Sequence, residues 1–570
     1  MKRIEGFPPA TKEDWRALVE RDPKASPIED KLSTPLEDGI VARPLYTRSD
    51  REGAADAGLP GAAPWIRGVR ARPEAWEVRQ VIDLADPAQA ALQAEREVER
   101  GATSLLLRLG AEGIAVSSAE ELGKVLAEVP LEKVAIVLDA GEETARAAEW
   151  LCEVWKTRGI AKEEAQGSFG SDPLGLLAAR GIEPRWEEIV GLAKEAGAFP
   201  GVRALRVSAA PYHEAGATAP QEMAAALSTA VAYLRKLVEG GLTVDAAARQ
   251  IAIELLIGPD VFWEIAKLRA MRWIWGRVLR ASGTAVAPYV EASTSYRMMT
   301  ARDPWVNLLR TTSAAFAAVV GGAESLEVRP FDAVLGVPDE FGRRLARNIQ
   351  RILLDESQLH HVIDPAGGSY YLESLTEELA QRAWERFQAL ERGGGIEAAL
   401  RSGSLQREIA EADAGREKLV ARRKLPITGL SEFPNLDEEL PRRDPRPTPA
   451  TAEASIEVLP RRRLGEAFER LRDASDAHLE AKGTRPAVFM ANLGKLAEYN
   501  PRATWIRNLL AAGGIEGRGE EGFSSGDALA EAFAATGTQV AVICGSDAGY
   551  EALAVVAARA PVIRGGDRLL

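Results

Sequence analysis

The sequence predicts an α/β protein: a (β/α)8 TIM-type barrel followed by a smaller, flavodoxin-like α/β domain. Three observations carry this expectation. The chain has 570 residues, more than one hydrophobic core normally supports, so two or more domains are expected. Up to about residue 415, short apolar runs alternate with amphipathic stretches, the pattern of βα units laid into a parallel sheet. A segment rich in Pro and charge, Lys424 to Pro449, then breaks the pattern before it resumes.

The elements follow in order. Residues 1–75 are rich in Pro, Gly and Asp and read as an extended arm, with L-P-G-A-A-P-W-I-R-G-V from Leu59 to Val69 as its most distinctive piece. Within residues 76–415, strands are expected at Val78 to Ile82, Ser104 to Leu109, Val134 to Leu138 and Val202 to Val207, with helices at Pro87 to Arg100 and Ala119 to Glu128. The length accommodates eight units and a closed barrel; the spacing alone is equally compatible with an open, doubly wound sheet. Residues 416–480 form a linker, extended or irregular where Pro is dense, with a helix at Gly465 to Leu479. Residues 481–570 begin a second sheet: strand Ala487 to Met490, helix Thr504 to Ala512, strand Gln539 to Cys544 and helix Tyr550 to Arg559. The pattern stops at P-V-I-R-G-G-D-R-L-L, where such a sheet still needs a strand and a helix. An incomplete domain is expected, its edge exposed or covered by a partner.

Composition excludes several function classes. Hydrophobic residues make up 46% and charged residues 27%, the balance of an ordinary globular protein. Cys152 and Cys544 are the only cysteines, too few for a disulfide framework and consistent with a reducing cytoplasm. The N-terminus M-K-R-I-E-G-F-P-P-A has no apolar signal core, and no run is long enough to span a membrane. A cytoplasmic protein without a membrane partner is expected. The net charge is −13, with Arg and Glu interspersed, which argues against a nucleic-acid partner because phosphates require a clustered basic face.

The chemistry-bearing motifs concentrate between Arg297 and Tyr371: R-M-M-T-A-R-D-P-W-V-N-L-L-R-T-T, then G-G-A-E-S, A-R-N-I-Q and V-I-D-P-A-G-G-S-Y-Y. Singly, residues such as Asp303, Asn307, Arg310, Arg347, Asn348 and Asp364 read as caps or surface groups. In this shared order, and with E-A-G-A-T-A from Glu214 and E-I-A-K-L-R-A-M-R from Glu264, the array resembles methylmalonyl-CoA mutases over most of residues 60–430. The resemblance implies a barrel that admits acyl-CoA along its axis. It also implies a C-terminal cobalamin-binding-type domain, whose adenosylcobalamin starts a radical rearrangement of the carbon skeleton.

The same resemblance marks what is missing. Cobalamin-binding mutases carry an Asp-x-His-x-x-Gly loop whose imidazole ligates cobalt; here the loop reads F-M-A-N-L-G-K-L-A-E-Y-N-P from Phe489 to Pro501, and no histidine follows His478. Gly565 and Gly566 are similar to the family's later Gly-Gly turn and are weak cofactor-binding candidates. The W-x-x-R-Q-Y-A-G-F segment becomes W-E-V-R-Q-V-I-D, so Val81 replaces a tyrosine that packs against the acyl group. R-T-H-S-Q-T-S-G becomes Y-V-E-A-S-T-S-Y, placing Tyr289, Glu291 and Ser293 where the family has Arg, His and Gln. Positive charge suited to phosphates and a carboxylate is lost. Y-H-M-Q-E-A-G-A becomes A-P-Y-H-E-A-G-A, with Pro211 in the place of its histidine.

Tyr212 and His213 remain as catalytic candidates, because barrel enzymes place chemistry at the C-terminal ends of strands; a buried, hydrogen-bonded pair is the commoner outcome. His360 and His361 lack ligand spacing for a metal, and no metal site is expected. The expectation is therefore the small, noncatalytic subunit of a heterodimeric methylmalonyl-CoA mutase. Its large subunit would hold the adenosylcobalamin, and acyl-CoA would reach only the complex. Two alternatives stand beside it: an independently active acyl-CoA mutase of altered specificity, and a noncatalytic module binding CoA or another partner.

Overall fold

The barrel strands begin where the apolar runs begin, because a strand of a closed parallel barrel is packed on both faces and so reads as a nearly continuous apolar stretch. The computed structural model describes residues 10–22, 24, 27–447 and 454–550. Eight parallel strands close in chain order: β1 (Glu77–Ile82), β2 (Ser104–Arg108), β3 (Ala135–Asp139), β4 (Gln166–Ser171), β5 (Gly201–Ser208), β6 (Ile251–Ile257), β7 (Val290–Thr294) and β8 (Ser325–Glu327). Pairing of Leu326 with Val78 joins β8 to β1, so the sheet is a barrel and the open alternative is excluded.

The intervening helices start where short polar side chains can cap them. Asp86 accepts from the Gln89 amide with Pro87 in the first turn, Ser118 accepts from Glu121, and Thr218 forms a capping box with Gln221; each satisfies amides that a helix N-terminus leaves unpaired. Their apolar faces, such as Leu151, Val154 and Trp155 of the helix Thr144–Thr157, lie buried with the strands.

The arm docks on its own barrel. After a two-residue antiparallel ladder of Thr34–Pro35 with Val41–Ala42, Arg51 pairs with Glu377 at 2.6 Å. Glu37 accepts from the Ala219 amide at 3.2 Å, and Asp38 from the Thr218 hydroxyl at 2.5 Å. Two carboxylates thus meet the positive end of the long helix Ala219–Glu239, a favourable dipole placement.

Two compact units divide the chain. The first takes residues 1–297, 308–413 and 444–462, and the second takes 298–307, 414–443 and 463–570. Within the first, the described residues of 444–462 bond to the barrel. Val337 donates to the Asp444 carbonyl at 2.8 Å, Leu459 to that of Ala178 at 2.8 Å and Arg462 to that of Glu214 at 2.9 Å.

The second unit carries a parallel sheet. β9 (Ala487–Leu493) lies between β12 (Ala541–Cys544) and an edge made of β10 (Glu516–Arg518) and β11 (Gly522–Phe523). Alternation along β9 sends Phe489, Ala491 and Leu493 to one core with Leu529 and Phe533, and Met490 to another with Tyr499, Ala503 and Cys544. The helix after β9 spans Leu496–Ala512 and contains Pro501, so it starts earlier than the sequence suggests. Tyr499, buried and donating to the Glu520 carbonyl at 2.9 Å, anchors the turn ahead of the proline. The helix expected at Tyr550 to Arg559, and Gly565 and Gly566, lie outside the described residues beyond Tyr550. Among the described residues, no helix is long and apolar enough to cross a membrane.

Candidate functional site

Alternation along the barrel strands turns a set of charged side chains inward. Glu291 on β7 accepts from Arg79 on β1 at 2.7 Å and from Arg206 on β5 at 2.9 Å. Arg206 also donates to Glu254 on β6 at 2.6 Å, which accepts from Ser293 at 2.5 Å and from Ser208 at 2.6 Å. Ser293 reaches Glu327 on β8 at 3.1 Å, and Arg79 reaches Ser104 on β2 at 3.0 Å. β1 and β7 are not neighbours, nor are β5 and β7, so these bonds cross the bore. Burial opposes ionisation of Glu291, but the two guanidiniums outweigh it and hold the carboxyl at about 2.

Tyr289, Glu291 and Ser293, three of the replaced family positions, are members of this network, and Val81 lies outside it. Glu291 and Ser293 sit at its centre. Tyr289 donates to Glu77 at 3.2 Å and lies under the Arg203 guanidinium, 3.5 Å from the ring centroid. Val81 pairs in register with Leu106, and its carbonyl accepts from Gln93 at 2.9 Å. The sequence showed positive charge lost at two positions, Tyr289 and Glu291, and an amide replaced at Ser293. It did not show that Arg79, Arg206, Glu254 and Glu327 would meet there. The available signal was a charged residue at alternate positions of otherwise apolar strands, in V-R-Q-V, A-L-R-V-S and I-E-L.

Tyr212 and His213 open the short helix Ala210–Glu214 after β5, but the structure does not bring them to one point. The Tyr212 hydroxyl bonds Thr229 at 3.0 Å, and burial pushes its phenol well above the usual range. His213 lies between Glu222, 2.8 Å from Nδ1, and Ser295, 2.7 Å from Nε2. A carboxylate, an imidazole and a hydroxyl in line form the pattern of a nucleophilic relay, here buried, with Ser295 1% and His213 2% exposed. Lys267 completes the group, 3.3 Å from Glu222 and 2.7 Å from Glu264; burial raises both carboxyls.

Other motifs of the family resemblance act as locks. Arg269 is fully buried, paired with Asp364 of V-I-D-P and with Glu373 at 2.8 Å. Arg272 donates at 3.2 Å to each of the Trp65, Ile66 and Gly322 carbonyls, which fixes the P-W-I-R-G turn where Trp65 adopts φ +70°, a conformation a bulky residue holds only when its surroundings dictate it. In the second unit, Asn307 folds back on Thr300, accepting from its amide at 3.0 Å and donating to its carbonyl at 2.8 Å, and Arg302 pairs with Asp473 at 2.6 Å.

A histidine-ligated corrinoid would need an imidazole in the loop after β9. Glu498 occupies it, accepting from the Lys495 amide at 2.6 Å, and a side chain at Gly494 would strike the same carboxylate at 2.3 Å. The loop offers an anionic helix cap and no imidazole, so these residues do not fit a histidine-ligated group. Deeper in, Asn492 is fully buried with neither amide atom bonded among the described residues. His360 and His361 stack edge to face at 4.3 Å, and among the described residues no three potential ligands converge on a metal position. Both cysteines are free thiols.

These features define a TIM-barrel protein whose axis is crossed by its own ion pairs, with a small parallel-sheet module in the same chain. The profile of the family described as methylmalonyl-CoA mutase matches residues 36–109 and 106–482. A methylmalonyl-CoA mutase small subunit of Streptomyces virginiae is 47% identical over 97% of this chain and 91% of its own length. One of Propionibacterium freudenreichii subsp. shermanii is 35% identical over 95% and 85%. A protein named methylmalonyl-CoA mutase from Escherichia coli (strain K12) is 28% identical over 75% of this chain and 64% of its own. The chain belongs to the methylmalonyl-CoA mutase family, which uses adenosylcobalamin.

Proposed function

We propose that this chain is the small, noncatalytic subunit of a heterodimeric methylmalonyl-CoA mutase. The complex interconverts (R)-methylmalonyl-CoA and succinyl-CoA, and its large subunit holds the adenosylcobalamin and the reacting acyl-CoA. The Arg79–Glu291–Arg206 bridge is the observation that carries the reading, because it occupies with protein charge the axis along which a catalytic family member receives its acyl-CoA. A loop after β9 that carries no histidine and is capped by Glu498, and the buried Ser295–His213–Glu222 line, support the same division of labour. The chain's work is to scaffold its partner, with barrel and arm supplying the interface, and a pairing of two related barrels reuses an ancestral two-fold contact.

Turnover of methylmalonyl-CoA with added adenosylcobalamin, and corrinoid retained after gel filtration, test this for the chain alone and co-expressed with a large subunit. Activity and bound corrinoid only in the co-expressed sample are expected. Turnover or stoichiometric corrinoid with the chain alone would overturn the proposal.

A further inference from the structure

Arg79 and Arg206 donate to the same atom, Oε2 of Glu291, at 2.7 and 2.9 Å. Each guanidinium is also held by anchors that do not involve Glu291. Arg79 donates from Nε to Ser104 at 3.0 Å and from Nη2 to Glu77 at 3.0 Å, and Arg206 donates from Nη2 to Glu254 at 2.6 Å. Glu254 is fixed in turn by the hydroxyls of Ser208 and Ser293. The two donors therefore keep their aim without the carboxylate they meet, which is the preorganisation of a binding site and not of two side chains drawn together only by each other. Burial reinforces it. Arg79 and Glu291 are each 2% exposed, and the guanidiniums hold the Glu291 carboxyl at about 2 although burial by itself raises it.

Shortening Glu291 to alanine removes two carbons and two carboxylate oxygens, the heavy atoms of an acetate ion. Water that fills the space carries no charge and leaves both buried guanidiniums with too little negative charge, which is costly. A free carboxylate restores the charge and both hydrogen bonds. We infer that Arg79 and Arg206 form a binding site for a short carboxylate across the bore, and that Glu291 is its built-in ligand, closing the site to free carboxylates in the native chain. A carboxylate carried by the chain itself competes intramolecularly, at high effective concentration, so the native protein takes up no acetate. The inference goes beyond the small-subunit reading, because it gives the bridge a ligand class and stands on the bonds of the bore alone.

The test follows the thermal midpoint of the full chain in sodium acetate and sodium formate, with sodium chloride at the same ionic strength as reference. Glu291→Ala should melt lower than wild type in chloride and rise by about 3 °C in acetate or formate, saturating with concentration. Three samples should show only the weak, unsaturable effect that a salt has on any protein: wild type, Glu291→Gln, whose amide fills the space, and Glu291→Ala combined with Arg79→Met. If Glu291→Ala does not fold in chloride, the yield of soluble refolded chain takes the place of the midpoint, and acetate should restore it. A gain in acetate no larger than that of wild type, an equal gain in the variant lacking Arg79, or a refolding yield as low in acetate as in chloride would overturn the inference. None of these samples contains a large subunit, so that result leaves the small-subunit reading standing. Turnover by the chain alone would overturn that reading and leave this site untouched.

Discussion

At Glu291 two guanidiniums converge on one carboxylate in a place where relatives with a working site carry a histidine. Replacing Glu291 with Gln leaves Arg79 and Arg206 buried with too little negative charge, so a loss of about 3–5 kcal/mol is expected, read as a lower urea midpoint with unchanged slope. The carboxyl is held at about 2, below its ordinary 4.5. Its contribution of about 3 kcal/mol is therefore complete above pH 4.5 and lost as pH falls toward 2; the variant should lack that part of the acid limb. Asp172 behaves oppositely. Burial pushes it up to about 6 from 3.8, against hydrogen bonds from Tyr233 and the Ser208 amide. Its favourable, protonated state is complete below pH 3.8 and lost as pH rises through 6. Wild type should therefore lose about 3 kcal/mol relative to Asp172→Asn between pH 4 and 7; a flat difference over that range would contradict the assignment.

Among the elements, the P-W-I-R-G turn shows how a family motif can be structural. Arg272 holds three of its surrounding carbonyls, and the Trp65 indole lies so close to Gly276 that a side chain there would meet it at 2.7 Å. Arg272→Met should cost about 3 kcal/mol by leaving those acceptors unpaired, with faster amide hydrogen exchange across residues 61–68; unchanged exchange there would show that the lock is redundant. Half of the barrel strands are legible in the sequence: β1, β2, β3 and β5 start within one residue of the apolar runs that predict them, whereas none of those runs predicts β4, β6, β7 or β8. The helix Leu496–Ala512 extends ahead of the expected Thr504 to Ala512; proline normally ends a helix, and the tertiary anchor at Tyr499 has no local signature. β4, Q-G-S-F-G-S, gives no strand signal, because its glycines carry no apolar period.

For the whole molecule, the decisive issue is whether chemistry in the assembled enzyme passes through this chain. His213→Asn should melt the isolated chain several degrees lower, because Glu222 and Ser295 lose a buried partner,. Turnover per heterodimer should stay within about twofold, because a group acting only through packing leaves transition-state binding untouched. A large fall in kcat with unchanged assembly would instead restore His213 as a catalytic residue. Residues 298–307 join the second unit, and the described residues of 444–462 bond to the barrel. Backbone bonds such as Leu459 to Ala178 join residues too distant in sequence for any local pattern to register.

The sequence by itself determined the fold class and the family, because apolar period and ordered motifs are local properties of the chain. It also exposed the loss of a cobalt-ligating histidine and of the family's Arg, His and Gln at Tyr289, Glu291 and Ser293. Only the tertiary structure decided what those replacements do. Arg79, Arg206, Glu254, Glu291 and Glu327 are scattered over some 250 residues and become one buried network solely because barrel closure places five strands around a common axis, where an unpaired charge is costly and a paired one is held.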